Sequence, residues 1–215
     1  MKDIIVIGGG GHGKVLISIL KKIENYNIVG YVDFENRGNI LGVSYYGTDE
    51  KLLSLKDKPL LALGIGQIKN IAIRKKIVDK FFNNAFSFET IISPNAIINE
   101  EVELGEGTVV MDGVVINSGT NIGKYSIVNT NSSVDHDCKI GDFVHIAPGC
   151  TLSGEVKLEQ NVLVGTGAKI IQGIRIVENV IIAGGSCVME HIVEKGTFIG
   201  VPARKLSKKM FKKKR

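Results

Sequence analysis

A chain of 215 residues with 26 glycines, 4 prolines, 6% aromatic residues and no tryptophan has room for one long domain or two short ones, built on an aliphatic, turn-rich core. No stretch approaches the ~20 uninterrupted apolar residues of a membrane span, and residues 1–7 run straight into glycines without a secretion-signal pattern, so a soluble, cytoplasmic protein is expected. The formal charge of +5 rests on residues 205–215, KLSKKMFKKKR, which hold seven basic residues and no acidic one and leave −2 for the rest; this basic tail reads as a solvated terminus, with neither nucleic acid nor stable membrane anchoring expected.

Residues 4–7, IIVI, form the short apolar run of a buried parallel strand and end in Gly8-Gly9-Gly10-Gly11-His12-Gly13. An amphipathic helix is expected over 14–22, with Val15, Leu16, Ile19 and Leu20 on one face. A second strand over 28–32 ends at Asp33, and a third over 60–63 ends in Gly64-Ile65-Gly66. Between them residues 48–55 read as a short helix with Thr48 as N-cap. Residues 70–82 form another helix carrying Ile71, Ile73, Ile77 and Val78, and 86–91 a last extended segment. Strand, glycine loop, helix, strand is the opening of a βαβ unit. Residues 1–90 are therefore expected to form a small Rossmann-like α/β domain, half the size of a full dinucleotide-binding fold.

The spacing Gly8-x-Gly10-x-x-Gly13, after a strand and before a helix, is the fingerprint of a diphosphate site. Glycines let the backbone approach the phosphates, and the helix N-terminus at Gly13 supplies N–H groups and partial positive charge. Gly10, Gly11, His12 and Gly13 are thus candidate binding residues, with His12 either touching the ligand or capping the helix. Asp33, at the end of the second strand, is placed to accept from a ribose or a base. The short domain and the lack of a hydride-transfer site favour a nucleotide sugar over NAD.

From Ile92 to Val188 every sixth residue is Ile, Leu or Val, and four residues after each stands a small or β-branched one, from Ala96 to Ser186. A period of six matches neither a 3.6-residue helix nor a simple alternating strand. It describes stacked units of short flat strands, with one aliphatic side chain per strand pointing to the axis and a small residue beside it. Gly105, Gly123, Asn129, Gly141 and Gly165 are expected to supply turns of positive φ. Cys138 and Cys150 occupy the small inward position; with Cys187 they are odd in number and lack zinc spacing, so a reduced, structural role and no metal are expected. The hexads resemble those of the hexapeptide-repeat acyltransferases. That resemblance implies a left-handed parallel β-helix with three hexads per coil, here over residues 91–204.

One hexad, Val134-Asp135-His136-Asp137-Cys138-Lys139, points a histidine outward between two carboxylates. Such a histidine suits general-base work, because a carboxylate fixes its tautomer and stabilises the imidazolium formed when a proton is taken. Neighbouring side chains on a strand face opposite ways, so Asp137 reaches His136 only if the pair stands at a corner.

The whole chain resembles the family of sialic acid O-acetyltransferases and nucleotide-amino-sugar N-acetyltransferases, including the acetyltransferases of the bacillosamine pathway. The resemblance is carried by residues 8–13, Asp33, Ile-Ser-Pro-Asn-Ala at 92–96, Val-Val-Ile-Asn at 114–117, residues 129–130 and 135–137, Ile-Gly-Asp-Phe at 140–143 with His145, Gly184-Gly185, and Gly-Val-Pro-Ala-Arg at 200–204. It implies a homotrimer with active sites between neighbouring β-helices and His136 as the base, oriented by Asp137 or Asp135. It further implies acetyl-CoA as co-substrate, held by Asn129, His145, Thr166 and the backbone at Gly184. The nucleotide of the acceptor sugar would lie against Gly10 to Gly13 and Asp33. Two departures stand out: Asp137 replaces the usual Glu of the bacillosamine enzymes, and Phe34 follows Asp33 where those enzymes have a second Asp. The expected activity is N-acetylation of a UDP-linked amino sugar. O-acetylation of a sialic or related acid is the alternative in chemistry, and a non-catalytic sugar-nucleotide-binding protein is the alternative in class.

Overall fold

The computed structural model describes residues 1–66 and 71–207, the side chains of residues 71 and 72 excepted. The chain divides into two compact units, Met1–Ala96 with Glu106–Asp112, and Ile97–Gly105 with Gly113–Arg215.

In the first unit β1 (Lys2–Ile7), β2 (Tyr26–Val32), β3 (Tyr45–Gly47) and β4 (Leu60–Leu63) form a parallel sheet in the order β3-β2-β1-β4. The strands expected at 4–7, 28–32 and 60–63 are present, and the three-residue β3 is an addition too short to leave a periodic signal. Phe88 extends the edge beyond β4, where Leu61 exchanges backbone hydrogen bonds with Ser87 and Glu89. Helices α1 (Gly11–Leu20), α2 (Asp49–Leu53) and α3 (Ile71–Phe82) connect the strands. Asn70, the expected start of the third helix, lies outside the described residues.

Helix α1 begins three residues earlier than composition suggests, with Gly10 as its N-cap. Its buried residues are Gly13, Leu16, Ile17, Ile19 and Leu20. Val15, expected among them, is 42% exposed. Thr48 stands at the N-cap of α2 without a side-chain cap hydrogen bond; its side chain bonds the Glu50 carboxylate instead. In α3 Val78 and Phe81 are buried, while Ile73 is exposed, contrary to the expected face. Its place is taken by Arg74, fully buried, whose guanidinium donates to the Ile65 carbonyl. Burial pulls the Arg74 pKa down to about 9.

The second unit is a β-helix. Through the repeat, two-residue strands pair in parallel with those 18 residues on, as Asn121 with Lys139 and Lys139 with Lys157. Three faces result. One runs through Glu103–Leu104, Asn121–Ile122, Lys139–Ile140, Lys157–Leu158 and Arg175–Ile176, and a second from Ile97–Ile98 through Ser133–Val134 to Cys187–Val188. The third includes Ile127–Val128, His145–Ile146, Leu163–Val164 and Val180–Ile182 and closes with Gly196–Ile199 and Arg204–Lys205. The sixth-residue aliphatics from Val110 to Val188 are all buried, as are the small positions from Thr108 to Ser186. Burial of each such aliphatic contributes about 1.5–3 kcal/mol. Ile92, first of the run, is exposed, and Ile98 and Leu104 are only partly covered.

The turns correct one expectation. None of Gly105, Gly123, Asn129, Gly141 and Gly165 has positive φ; that conformation falls two residues later, at Gly107, Gly113, Gly119, Tyr125, Asn131, Asp137 and Phe143 and so on through the repeat. Gly123, Gly141 and Gly165 instead permit close stacking of coils. A Cβ at Gly141 would lie 2.7 Å from the Gln160 nitrogen, and one at Gly165 2.6 Å from that of Gly184. The small inward position also does more than save space. Ser126, Ser132 and Thr120 each donate a hydroxyl proton to a carbonyl of the next coil, and the buried Cys138 and Cys150 thiols do the same. Burial raises both thiols to about 11.

Candidate active site

In the first unit β1, β2 and β4 end at a cavity of about 860 Å³. Its walls include Gly8, Gly10, Gly11 and His12 after β1, Asp33, Phe34 and Arg37 after β2, and Gly64, Ile65 and Gly66 after β4. Strand order reverses at β1, so the chain leaves β1 and β4 on opposite courses and opens a crevice at their carboxyl ends. Each glycine of the loop has its own task. Gly8 takes φ +101°, and a Cβ on Gly13 would stand 1.9 Å from the Gly8 carbonyl oxygen, so only glycine allows the helix to close on the strand. Around Gly10 and Gly11 a Cβ would meet nothing within 4 Å. No neighbouring group crowds the start of α1 at these two residues, which leaves room for an anion at a helix N-terminus. His12 lies in the first turn of α1 and lines the cavity.

Asp33 is 8% exposed and its carboxylate is divided. Oδ2 accepts from the Gly9 N–H at 2.7 Å and from Arg37 Nε at 3.1 Å, whereas Oδ1 is buried without a hydrogen-bond partner. Burial alone would raise this carboxyl; the Gly9 N–H and the Arg37 guanidinium outweigh it and hold the group below the ordinary carboxylate range. Arg37 also stands 5.3 Å above the ring of Phe34, which is mostly exposed.

In the β-helix, Asp135-His136-Asp137 forms the corner between the strands Ser133–Val134 and Lys139–Ile140. Asp137 adopts φ 58°, and this left-handed turn brings its side chain round to the preceding residue. His136 Nδ1 lies 2.8 Å from Asp137 Oδ2. Asp135 does something different: its Oδ1 accepts from the His136 backbone N–H at 2.9 Å and from Asn117 Nδ2 at 2.8 Å. With the Nδ1 proton donated to Asp137, Nε2 keeps its lone pair. The side chain is 48% exposed, so a substrate can reach it. The hydrogen bond to Asp137 raises the His136 pKa above 6.5, assisted by the charges of Asp135, Asp137 and Glu155.

The corner is braced from both sides. Buried Thr120 donates to the Asp135 carbonyl and accepts from the Cys138 N–H. A Cβ at Gly154 would come within 2.5 Å of His136 Nε2, and one at Gly119 within 2.7 Å of Asp137 Oδ1. The imidazole and its carboxylate thus rest on glycines one coil above and one below. Taken singly, the hexads give no sign that Asn117, Thr120, Gly119 and Gly154 support His136. Writing the chain in rows of eighteen puts Asn117 beside Asp135 and Gly154 beside His136.

The other expected residues stand elsewhere. Asn129 Nδ2 lies 3.2 Å from Nε2 of His145, which is buried on the third face. Thr166 and Gly184 stack at the exposed corner after that face, where the Gly185 N–H donates to the Thr166 carbonyl at 2.8 Å. Within one chain, then, His136 and this second group occupy different corners of the β-helix.

Comparison with known proteins accounts for both units. The family model PglD N-terminal domain matches residues 3–81, and the model Bacterial transferase hexapeptide (six repeats) matches residues 119–154. The UDP-N-acetylbacillosamine N-acetyltransferase of Bacillus subtilis (strain 168) is 33% identical over 112 residues, 52% of this chain and 52% of the relative. This match spans about half the length of each. The acetyltransferase domain of PglB from Neisseria gonorrhoeae FA1090, in complex with acetyl coenzyme A, is 32% identical with a TM-score of 0.89, covering 95% of this chain and 99% of that one. PerB from Caulobacter crescentus, in complex with CoA and GDP-perosamine, is 34% identical with a TM-score of 0.87, covering 96% and 98%. With a third of its residues shared along nearly the whole length of these structures, the chain belongs to the bacillosamine-pathway-like family of hexapeptide acetyltransferases.

Proposed function

We propose that the protein transfers an acetyl group from acetyl-CoA to the amino group of a UDP-linked amino sugar, with His136 as general base. The observation that carries this reading is the 2.8 Å contact of His136 Nδ1 with Asp137, which leaves Nε2 free at an exposed corner. The acceptor amine attacks the thioester carbonyl carbon, and Nε2 removes the proton that the nitrogen sheds as the C–N bond forms. Collapse of the tetrahedral intermediate breaks the C–S bond, and the proton passes from the imidazolium to the departing CoA thiolate. Asp137 stabilises the imidazolium in between.

The nucleotide diphosphate is assigned to the cavity at Gly10, Gly11 and His12, beside Asp33. Acetyl-CoA is assigned to Asn129, His145, Thr166 and Gly184. Because these lie at another corner from His136, a complete site needs the His136 of one protomer beside the acetyl-CoA residues of its neighbour, and a cyclic homotrimer is the symmetric way to achieve that. Light scattering should give three times the 23.3 kDa chain mass. Acetyl-CoA and nucleotide sugars are cytoplasmic metabolites, consistent with a cytoplasmic enzyme; among the described residues no helix is long and apolar enough to cross a membrane.

Thiol release from acetyl-CoA, measured against UDP-, GDP- and CMP-linked sugars, tests the activity. UDP is chosen because the curated relative acts on a UDP sugar, whereas PerB holds a GDP sugar. Turnover with UDP-linked amino sugars is expected. Acetylation of a hydroxyl on a free or CMP-linked nonulosonic acid, with no turnover of amino sugars, would replace N- by O-acetyl transfer.

A further inference from the structure

Two carboxylates flank His136 in sequence, yet only one meets its ring. The neighbouring coil supplies the reason. Asn99 Nδ2 donates to Asn117 Oδ1 at 2.7 Å, Asn117 Nδ2 donates to Asp135 Oδ1 at 2.8 Å, and the same Oδ1 receives the backbone N–H of His136. The three side chains stand one coil apart and form a hydrogen-bonded ladder up one edge of the β-helix, ending directly under the histidine.

We propose that Asn117 is a positioning residue for His136: its amide pins the Asp135 carboxylate to the backbone, so that Asp137 alone accepts the ring proton and Nε2 is held in one direction. This rests on His136 being the base. The physical argument is one of competition. A free aspartate next to the histidine is tethered as closely as Asp137 and would draw Nδ1 toward itself, rotating the ring away from its seat above Gly154. Two charge-assisted bonds on one oxygen, stronger than neutral ones, hold Asp135 out of that contest. Asn99 orients the Asn117 amide, since its donation to Oδ1 leaves Nδ2 as the group that faces Asp135.

The carboxylates around the imidazole are Asp135 and Asp137 on its own corner and Glu155 from the next coil, which Gln172 Nε2 holds at 3.1 Å. With Asn117 removed, Asp135 turns toward the ring and adds to the stabilisation of the imidazolium. The His136 pKa then rises further, and the acid limb of the rate profile moves to higher pH.

The test is a double-mutant cycle in the full-length protein, with kcat, KM and the pH profile of kcat/KM as readouts. Asn117→Ala should lower kcat on the order of 10-fold, the scale of a misplaced catalytic group, leave KM for acetyl-CoA unchanged, and raise the acid-limb midpoint. In an Asp135→Asn background the same change should do nothing more. Asn99→Ala should reproduce the effect in weaker form. Should Asn117→Ala fail to fold, Asn117→Val keeps a β-branched side chain suited to the strand while withdrawing the donor, and the same shifts are expected. An unmoved acid limb, or an equal loss of kcat in the Asp135→Asn background, would overturn the proposal. If His136→Ala itself retains turnover, the base assignment has failed instead, and the two failures are told apart by that control.

Discussion

The cavity of the α/β unit and the His136 corner of the β-helix are built by opposite means. Around the cavity the chain removes side chains: Gly13 lets α1 close on Gly8, and Gly10 and Gly11 leave the helix N-terminus bare. At the corner it adds them, setting Asn117, Thr120, Asp135 and Asp137 in hydrogen bonds around one imidazole. A diphosphate carries its own charge and needs only oriented N–H groups and room. A proton transfer needs one lone pair at one angle, and that takes several fixed side chains. Substitutions at the two places should therefore fail in different measurements.

The largest effect is expected at the corner. His136→Ala should lower kcat on the order of 10²–10⁴-fold while circular dichroism and melting temperature stay as in the wild type, because the side chain is half exposed and supports no core. Near-normal turnover of the folded variant would remove the base assignment. Gly154→Val comes next. Its φ is not positive, so the backbone accepts a side chain, but the new carbon would press on Nε2 from 2.5 Å. Displacing the ring should cost about 100-fold in kcat with KM for the nucleotide sugar unchanged. A Gly154→Val enzyme with wild-type kcat would show that the imidazole does not need its seat.

The loop glycines sharpen the contrast because neighbours in sequence should break different things. Gly13→Ala puts a carbon against a backbone oxygen that cannot retreat, and should destabilise the first unit by about 2–3 kcal/mol, lowering Tm by roughly 5–10 °C. Gly10 has extended backbone and open space. Gly10→Val should leave Tm within a degree or two yet raise the UDP dissociation constant on the order of 10-fold in calorimetric titration, with acetyl-CoA binding untouched. Equal losses of Tm in both variants would contradict the division of labour among these glycines.

Much of this was readable in the residues. The period of six marks the β-helix because every coil repeats the same burial, and the glycine spacing marks the cavity because close approach and positive φ restrict residue type. The expectations that failed did so where the third dimension supplies the constraint. The left-handed turns fall at Asp137, Tyr125 and Phe143 as well as at glycines, since neighbouring coils impose the turn whatever residue is there. Val15 and Ile73 read as core by their spacing yet face outward, and in α3 the inward place goes to Arg74, whose guanidinium holds the Ile65 carbonyl. Which aspartate serves His136 is invisible in a symmetric Asp-His-Asp. The difference between the two shows only one coil away, where Asn117, eighteen residues from Asp135, donates to that carboxylate.

The smallest effect expected is a displacement in pH, and it tests how the corner tunes its base. Asp137 is the main reason that the His136 pKa lies above 6.5. A raised pKa keeps the imidazole protonated to higher pH, so the competent neutral form appears only as pH climbs through that value, and kcat/KM should rise along an acid limb with its midpoint above 6.5. Asp137→Asn removes the largest cause. The midpoint should fall toward the ordinary imidazole value, with the charges of Asp135 and Glu155 still acting on the ring from nearby. Both members of the pair are well exposed and solvent screens their attraction, so the displacement should shrink in high salt. On the alkaline plateau kcat should fall by only about three- to tenfold, since Nε2 remains and only its orientation is loosened. A midpoint that moves upward in Asp137→Asn would mean that Asp137 faces the ring as something other than a negatively charged acceptor, and the general-base geometry at this corner would have to be redrawn.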